Sequence, residues 1–235
     1  MTQLGNRTIV ALDTHDPEEA KRLVRRLSPH VHAFKVGPAL VLPTGFQVLD
    51  ELEKAGASRF FLDLKFHDIP NTVALAVREA ARRGIWMLTV HASGGLAMMH
   101  AAAEEASKHA HRPLVVGVSV LTSLDQNALS DELGVHRNLQ DHVLALASMA
   151  QDAGLDGLVC SGHEVVPIRK ALGGKPLLVV PGIRQAGKGT HDQARVMTPE
   201  EAVALGADYL VIGRALTDVT DLDLALNELG LVATA

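Results

Sequence analysis

Short apolar runs recur along the chain, and each is followed by a segment that carries helix start and stop signals. The first run is Thr8-Ile9-Val10-Ala11-Leu12, closed by Asp13. After it, Asp16 is placed to cap a helix, Pro17 suits the first helical position and Glu18-Glu19 suits the positive end of the helix dipole. That helix is predicted to run to about Leu27. A second run, His32-Ala33-Phe34-Lys35-Val36, ends at Gly37; a helix is expected over Gly45 to Lys54, stopped by Gly56. The third run starts at Phe60 and leads into a helix from Pro70 to Arg83, with Gly84 as its stop. Trp86 to His91, Leu114 to Val120, Gly157 to Cys160, Leu177 to Val180 and Tyr209 to Ile212 repeat the pattern. Helices are expected from Gly94-Gly95 to about Ala110, from Leu139 to Ala153, from Glu164 to Leu172 and from Asp221 to Glu228, and Thr198-Pro199-Glu200-Glu201 reads as a capping box. The polar segment Asp125 to Arg137 reads as a loop with a helical turn, and Gln185 to Ala194 as a Gly-rich loop.

The eight runs are continuously apolar rather than alternating, as expected for strands covered on both faces. Eight strands alternating with helices, with no linker between them, predict an α/β protein, one (β/α)₈ barrel domain over residues 1–235. An open doubly wound sheet is the competing arrangement. It is weakened because the first turn reads Ala11-Leu12-Asp13-Thr14-His15, where a dinucleotide fold would carry Gly-x-Gly-x-x-Gly.

Composition narrows the function classes. Hydrophobic residues make up 47% of the 235 and aromatic residues only 3%, so the core must be aliphatic. A formal net charge of −5 and the lack of a basic stripe argue against a nucleic-acid partner. No apolar segment approaches the length of a membrane span, and Met1 to Arg7 is too polar for a signal peptide, so a cytoplasmic protein is expected. Cys160 is the one cysteine; it excludes an internal disulfide and a cysteine zinc site, and its strand context predicts a buried, inert thiol. The twelve histidines include the pairs His30/His32 and His109/His111, each expected at a helix–strand junction with no acidic third ligand nearby, so no metal is expected. Gly187-Lys188-Gly189-Thr190 fails as a P-loop because Gly189 stands where Ser or Thr should meet magnesium.

Polar residues gather where the apolar runs end. Asp13, Lys35, Asp63, Lys65, Asp68, His91, Thr122, Arg184 and Arg214 all fall at or just beyond strand C-termini, the end of such a barrel that holds the active site. Asp63 and Lys65 are two apart on one strand and should project to the same face. One such charge alone reads as a cap or a solvated loop group. Two lysines and three carboxylates converging on one mouth require mutual pairing and point to chemistry. Gly213-Arg214 and Pro181-Gly182-Ile183-Arg184, after the last two strands, suit a phosphate site.

Asp63-Leu64-Lys65-Phe66-His67-Asp68-Ile69-Pro70-Asn71-Thr72 closely resembles the signature of the orotidine 5′-phosphate decarboxylases. Ala11-Leu12-Asp13, Phe34-Lys35-Val36-Gly37, Val120-Leu121-Thr122-Ser123, Pro181-Gly182-Ile183-Arg184, Gln193 to Pro199 and Ile212-Gly213-Arg214 match that family in order, in its bacterial form. The resemblance implies a homodimeric, cofactor-free and metal-free barrel that converts orotidine 5′-monophosphate to UMP and carbon dioxide. It implies that Lys65 donates a proton to C6, that Asp63 lies beside the departing carboxylate, and that Lys35 and Asp13 hold the ribose hydroxyls. Asp68 and Thr72 would reach into the partner's site, with Ile69 among the substrate contacts. Thr122 would meet the pyrimidine edge, and Pro181, Arg184, Gln193, Gly213 and Arg214 would line the phosphate end. Related sugar-phosphate barrels with Asp-x-Lys-x-x-Asp look metal-dependent and lack the Ile-Pro-Asn-Thr continuation. A non-catalytic phosphate-ligand-binding barrel is the rival from outside enzymes.

Overall fold

The computed structural model describes residues 1–184 and 197–232. Its strands are β1 (Thr8–Ala11), β2 (Ala33–Val36), β3 (Phe60–Phe66), β4 (Met87–His91), β5 (Leu114–Val118), β6 (Gly157–Val159), β7 (Leu177–Pro181) and β8 (Tyr209–Ile212). Each pairs in parallel with the next, and β8 returns to β1 through Thr8↔Leu210, Ile9↔Val211 and Val10↔Ile212, closing the barrel. The helices are α1 (Pro17–Leu27), α2 (Pro38–Thr44), α3 (Gln47–Lys54), α4 (Pro70–Arg82), α5 (Leu96–Ser107), α6 (Leu139–Asp152), α7 (Val165–Leu172), α8 (Pro199–Ala204), α9 (Arg214–Thr217) and α10 (Leu222–Glu228).

The two-residue period of a strand explains why the apolar runs are unbroken. Ile9, Ala11, Ala33, Phe61, Met87, Val116, Val179 and Val211 point inward and fill the barrel. Their neighbours Val10, Phe34, Leu62, Leu88, Val115, Leu158 and Val180 point outward into the layer shared with the helices. Away from the C-terminal mouth, both faces of the strands therefore meet an apolar surface.

The caps are where the sequence places them. The Asp16 side chain accepts from the Glu18 backbone N–H, and Thr198 and Glu201 form the reciprocal capping box at α8. Two helices differ from expectation. The helix expected over Gly45 to Lys54 is α3 alone, and α2, ahead of it, was not expected; Gly45 at φ +67° separates the two. Pro38 sits at the first turn of α2, where a missing N–H costs nothing, and Pro43 lies within the helix. The four-residue α9 directly after Gly213 was also not expected. The polar segment Asp125 to Arg137 contains a π-helical turn, Ala128–Glu132. The Gly-rich loop expected over Gln185 to Ala194, and Gln193 within it, lie outside the described residues.

Behind the β3 and β4 ends, α4 and α5 are joined through Glu105, which is buried. Its carboxylate accepts from Arg78 Nε at 2.7 Å, and Lys108 Nζ stands 3.3 Å away. The Arg78 bond, working against burial, holds this carboxyl down at about 2. His109 Nε2 is 3.4 Å from the same carboxylate, so that histidine does have an acid beside it, as part of an ion-pair cluster. Among the described residues no three His, Cys, Asp or Glu side chains stand together as metal ligands would. No helix of the described residues is long and apolar enough to cross a membrane.

Candidate active site

A cavity of about 480 Å³ opens at the C-terminal ends of the strands. It is lined by Asp13, Lys35, Asp63, Lys65, Thr122, Pro181, Arg184, Gly213 and Arg214, so nine of the sequence-selected residues converge on one space. Four of them form a row of alternating charge. Lys35 Nζ donates to Asp13 Oδ1 at 2.8 Å and lies 3.4 Å from Asp63 Oδ2; Lys65 Nζ donates to that same Oδ2 at 2.9 Å. The side chains of Lys35 and Asp63 are each 12% exposed, against 36% for Lys65 and 62% for Asp13. The row thus runs from a buried centre towards solvent at both ends.

Burial by itself would raise the Asp63 carboxyl. The ammonium groups of Lys35 and Lys65 outweigh it and hold Asp63 below the ordinary aspartate range. Burial would likewise lower Lys35, and the carboxylates of Asp63 and Asp13 outweigh it, so Lys35 is raised. Asp63 and Lys35, the two buried members of the row, are thus held in their charged forms. Taking ions out of water costs several kcal/mol each, so a row like this is weak evidence for stability and stronger evidence for chemistry.

Asp63 and Lys65 do face the same cavity, but not through regular strand alternation. The β3–β4 register jumps from Leu62↔Leu88 to Phe66↔Val90, so four steps on β3 match two on β4. Within that bulge Lys65 has φ +50°, the one non-glycine residue with positive φ among those described. Thr89, fully buried on β4, fills the gap: its Oγ1 accepts from the Lys65 backbone N–H at 2.9 Å and donates to Asp63 Oδ1 at 3.1 Å. The sequence reading missed Thr89. The available signal was a single hydroxyl within Trp86-Met87-Leu88-Thr89-Val90, a buried polar group that must have a partner.

Asp68, Ile69 and Thr72 do not line this cavity. They are exposed at the turn into α4 and on its first turn, where Asp68 Oδ1 accepts from the Ile69 backbone N–H at 2.6 Å. His91 also lies outside the lining, its ring 5.4 Å from that of His67. Burial, with smaller contributions from the neighbouring His67 and Lys65, lowers it below the ordinary histidine range. Cys160 is buried against the cavity wall, with its thiol pushed far up by burial.

A closed parallel barrel with a paired acid–base row at its strand ends defines an enzyme of the (β/α)₈ class. The chain belongs to the Orotidine 5'-phosphate decarboxylase / HUMPS family, whose profile matches residues 6–228. It is 50% identical over 222 residues to a protein of Nitrosococcus oceani named orotidine 5'-phosphate decarboxylase, covering 94% of this chain and 95% of that one. It is 47% identical over 213 residues to a Chromobacterium violaceum protein of the same name, covering 91% and 85%. The crystal structure of orotidine 5'-phosphate decarboxylase from Lactobacillus acidophilus superposes with a TM-score of 0.82 at 34% identity, covering 95% and 96%.

Proposed function

We propose that this chain removes carbon dioxide from orotidine 5′-monophosphate to give UMP, the last step of de novo UMP synthesis. The observation that carries the reading is the row Asp13–Lys35–Asp63–Lys65 inside the mouth cavity. Breaking the bond from C6 to the carboxylate leaves an electron pair in the ring plane, where the ring delocalises it poorly. A fixed ammonium beside C6 stabilises that pair and then delivers a proton to it. Lys65 is the group with the required charge, and Asp63 holds it at 2.9 Å. Asp63 lies beside the leaving carboxylate, and Lys35 and Asp13 take the ribose hydroxyls. Thr122 meets the pyrimidine edge. Pro181, Arg184, Gly213 and Arg214, with Gln193, take the phosphate, whose binding energy is realised at the transition state. A barrier lowering above about 15 kcal/mol is the scale such a reaction asks for.

The reading includes a homodimer, a cytoplasmic setting, residues 1–235 acting as one catalytic unit, and no cofactor or metal. Asp68, Ile69 and Thr72 lie outside their own chain's cavity, which supports a role in a neighbour's. Leu42, Phe46, Ile69, Leu75 and Leu96, all more than 40% exposed, come from the segments after β2, β3 and β4 and give a second copy an apolar face to cover.

The test is an absorbance assay with orotidine 5′-monophosphate, with and without chelator. Turnover unaffected by chelator is expected; no turnover, or turnover abolished by chelator, sinks the reading. The shared site is tested by mixing Lys65→Ala with Asp68→Asn subunits. One site of each mixed dimer then carries both defects and the other neither, so activity returns. Demonstrated subunit exchange with no recovery would remove Asp68 from the partner's site.

A further inference from the structure

We propose that Thr89 is a positioning residue for the reacting lysine, acting as a two-way clamp inside the break of the β3–β4 ladder. The inference rests on the decarboxylation reading above, and it assigns work to a residue that does not line the cavity.

A parallel ladder satisfies each backbone N–H with a carbonyl of its neighbour. Between Leu62 and Phe66 that supply fails, because β3 carries two residues more than β4 over the same span. The Lys65 N–H would be left inside the sheet without a backbone acceptor. Thr89 Oγ1 accepts it at 2.9 Å. A hydroxyl carries one proton of its own, and this one is donated to Asp63 Oδ1 at 3.1 Å. The clamp therefore ties the backbone of Lys65 to the side chain of Asp63 through one atom.

Two consequences follow for the ion row. With Oδ1 of Asp63 taken by Thr89, Oδ2 is the oxygen that receives both ammonium groups, Lys65 at 2.9 Å and Lys35 at 3.4 Å. The carboxylate plane is thereby fixed. Second, Lys65 sits at φ +50°, a conformation costly to a residue with a Cβ. The Thr89 bond is a local interaction that holds it there and so sets where the Lys65 side chain leaves the backbone. Threonine suits the task because its β-branch restricts χ1 and aims the hydroxyl.

The test compares variants at residue 89 in turnover of orotidine 5′-monophosphate, and adds one measurement on the parent. Thr89→Val keeps the shape and removes the hydroxyl. Displacement of a reacting group by about 1 Å costs about 100-fold, so kcat is expected to fall by about that factor while KM stays within about threefold. Thr89→Ser is expected to stay within about fivefold of the parent and Thr89→Ala to resemble the valine variant, since serine and alanine both lose the methyl group and differ in the hydroxyl. Equal kcat for the serine and alanine variants, or a valine variant with parental kcat, overturns the proposal. If the valine variant does not fold, the serine–alanine pair decides. Independently of any activity, amide hydrogen exchange in the parent should find the Lys65 N–H protected despite its place in the ladder gap. A rapidly exchanging Lys65 amide overturns the clamp. A parent without turnover overturns the decarboxylation reading instead, and the exchange result still stands as the test of the clamp.

Discussion

At the C-terminal end of the barrel, β3 leaves its register with β4, Lys65 takes a positive φ and four charged side chains are drawn together. At the N-terminal end, the same two strands pair without interruption, Phe61↔Met87 and Leu62↔Leu88. The barrel there is closed by His32, Trp86 and Tyr209. The rings of His32 and Trp86 meet edge-on with centroids 4.9 Å apart, and Trp86 meets Tyr209 at 5.2 Å with an interplanar angle of 80°. Trp86 and Tyr209 pack beneath the inward cluster that holds Phe61 and Met87. Edge-on aromatic pairs add about 0.5–1.5 kcal/mol each beyond the area they bury. One end spends stability on desolvated ions and backbone strain; the other supplies it through rings and regular ladders. Only a few residues of β3 separate the two, which shows how local the strain of a working site can be.

The sharpest way to divide the two ends is to remove one group from each. Lys65→Ala should lower kcat by about 10⁴-fold or more while leaving the chain folded, because Asp63 keeps its contact with Lys35. Substantial residual turnover would take Lys65 out of the role of proton donor. Trp86→Ala should do the reverse. A loss of about 3 kcal/mol in urea unfolding is expected, with kcat within about threefold at a temperature where the variant is folded. A large kcat loss there would show the two ends to be coupled.

Smaller effects sharpen the contrast. If Lys65 is strained, Lys65→Gly should be more stable than Lys65→Ala by about 1 kcal/mol, although both are inactive. Equal stabilities would remove strain from the description of the mouth. Acid should reach the base first. Burial, aided by Arg59, holds His32 below its ordinary value of 6.5, so the folded state binds fewer protons than the unfolded chain. Its contribution is present in full above that value and is lost as pH falls through it. Asp63 is depressed from 3.8, so its contribution is lost only at lower pH. Stability measured at pH 7.5 and 5.5 should fall less in His32→Phe than in the parent. It should not become flat, because His91 and His142 are also lowered by burial.

The barrel was legible because doubly covered strands leave unbroken apolar runs and because the polar residues at their ends repeat in phase. The gathering of Asp13, Lys35, Asp63 and Lys65 followed from that phase alone. What stayed hidden depends on register or on backbone geometry. Nothing in a Leu-Lys-Phe sequence announces a left-handed lysine, since the residue that usually marks such a conformation is glycine. Thr89 looked like any β-branched strand residue, and its partners came within reach only after the register of β3 against β4 was known. The helix at Pro38–Thr44 was hidden by its prolines. Asp68 was selected by its place beyond β3 and Thr72 by resemblance, and in a single chain neither lines the cavity.

The row of four charges also sets how a catalytic cycle closes. Asp13, Lys35, Asp63 and Lys65 sum to zero while both lysines are protonated. On the proposed reading, Lys65 ends each turnover as a neutral amine, and the row is left with one negative charge too many. That excess sits beside Asp63, whose two ammonium contacts have become one. The imbalance draws a proton from water back to Lys65 once the product has gone. The enzyme would then need no separate acid to recharge it, because the electrostatics that ready the site for its substrate also restore it afterwards.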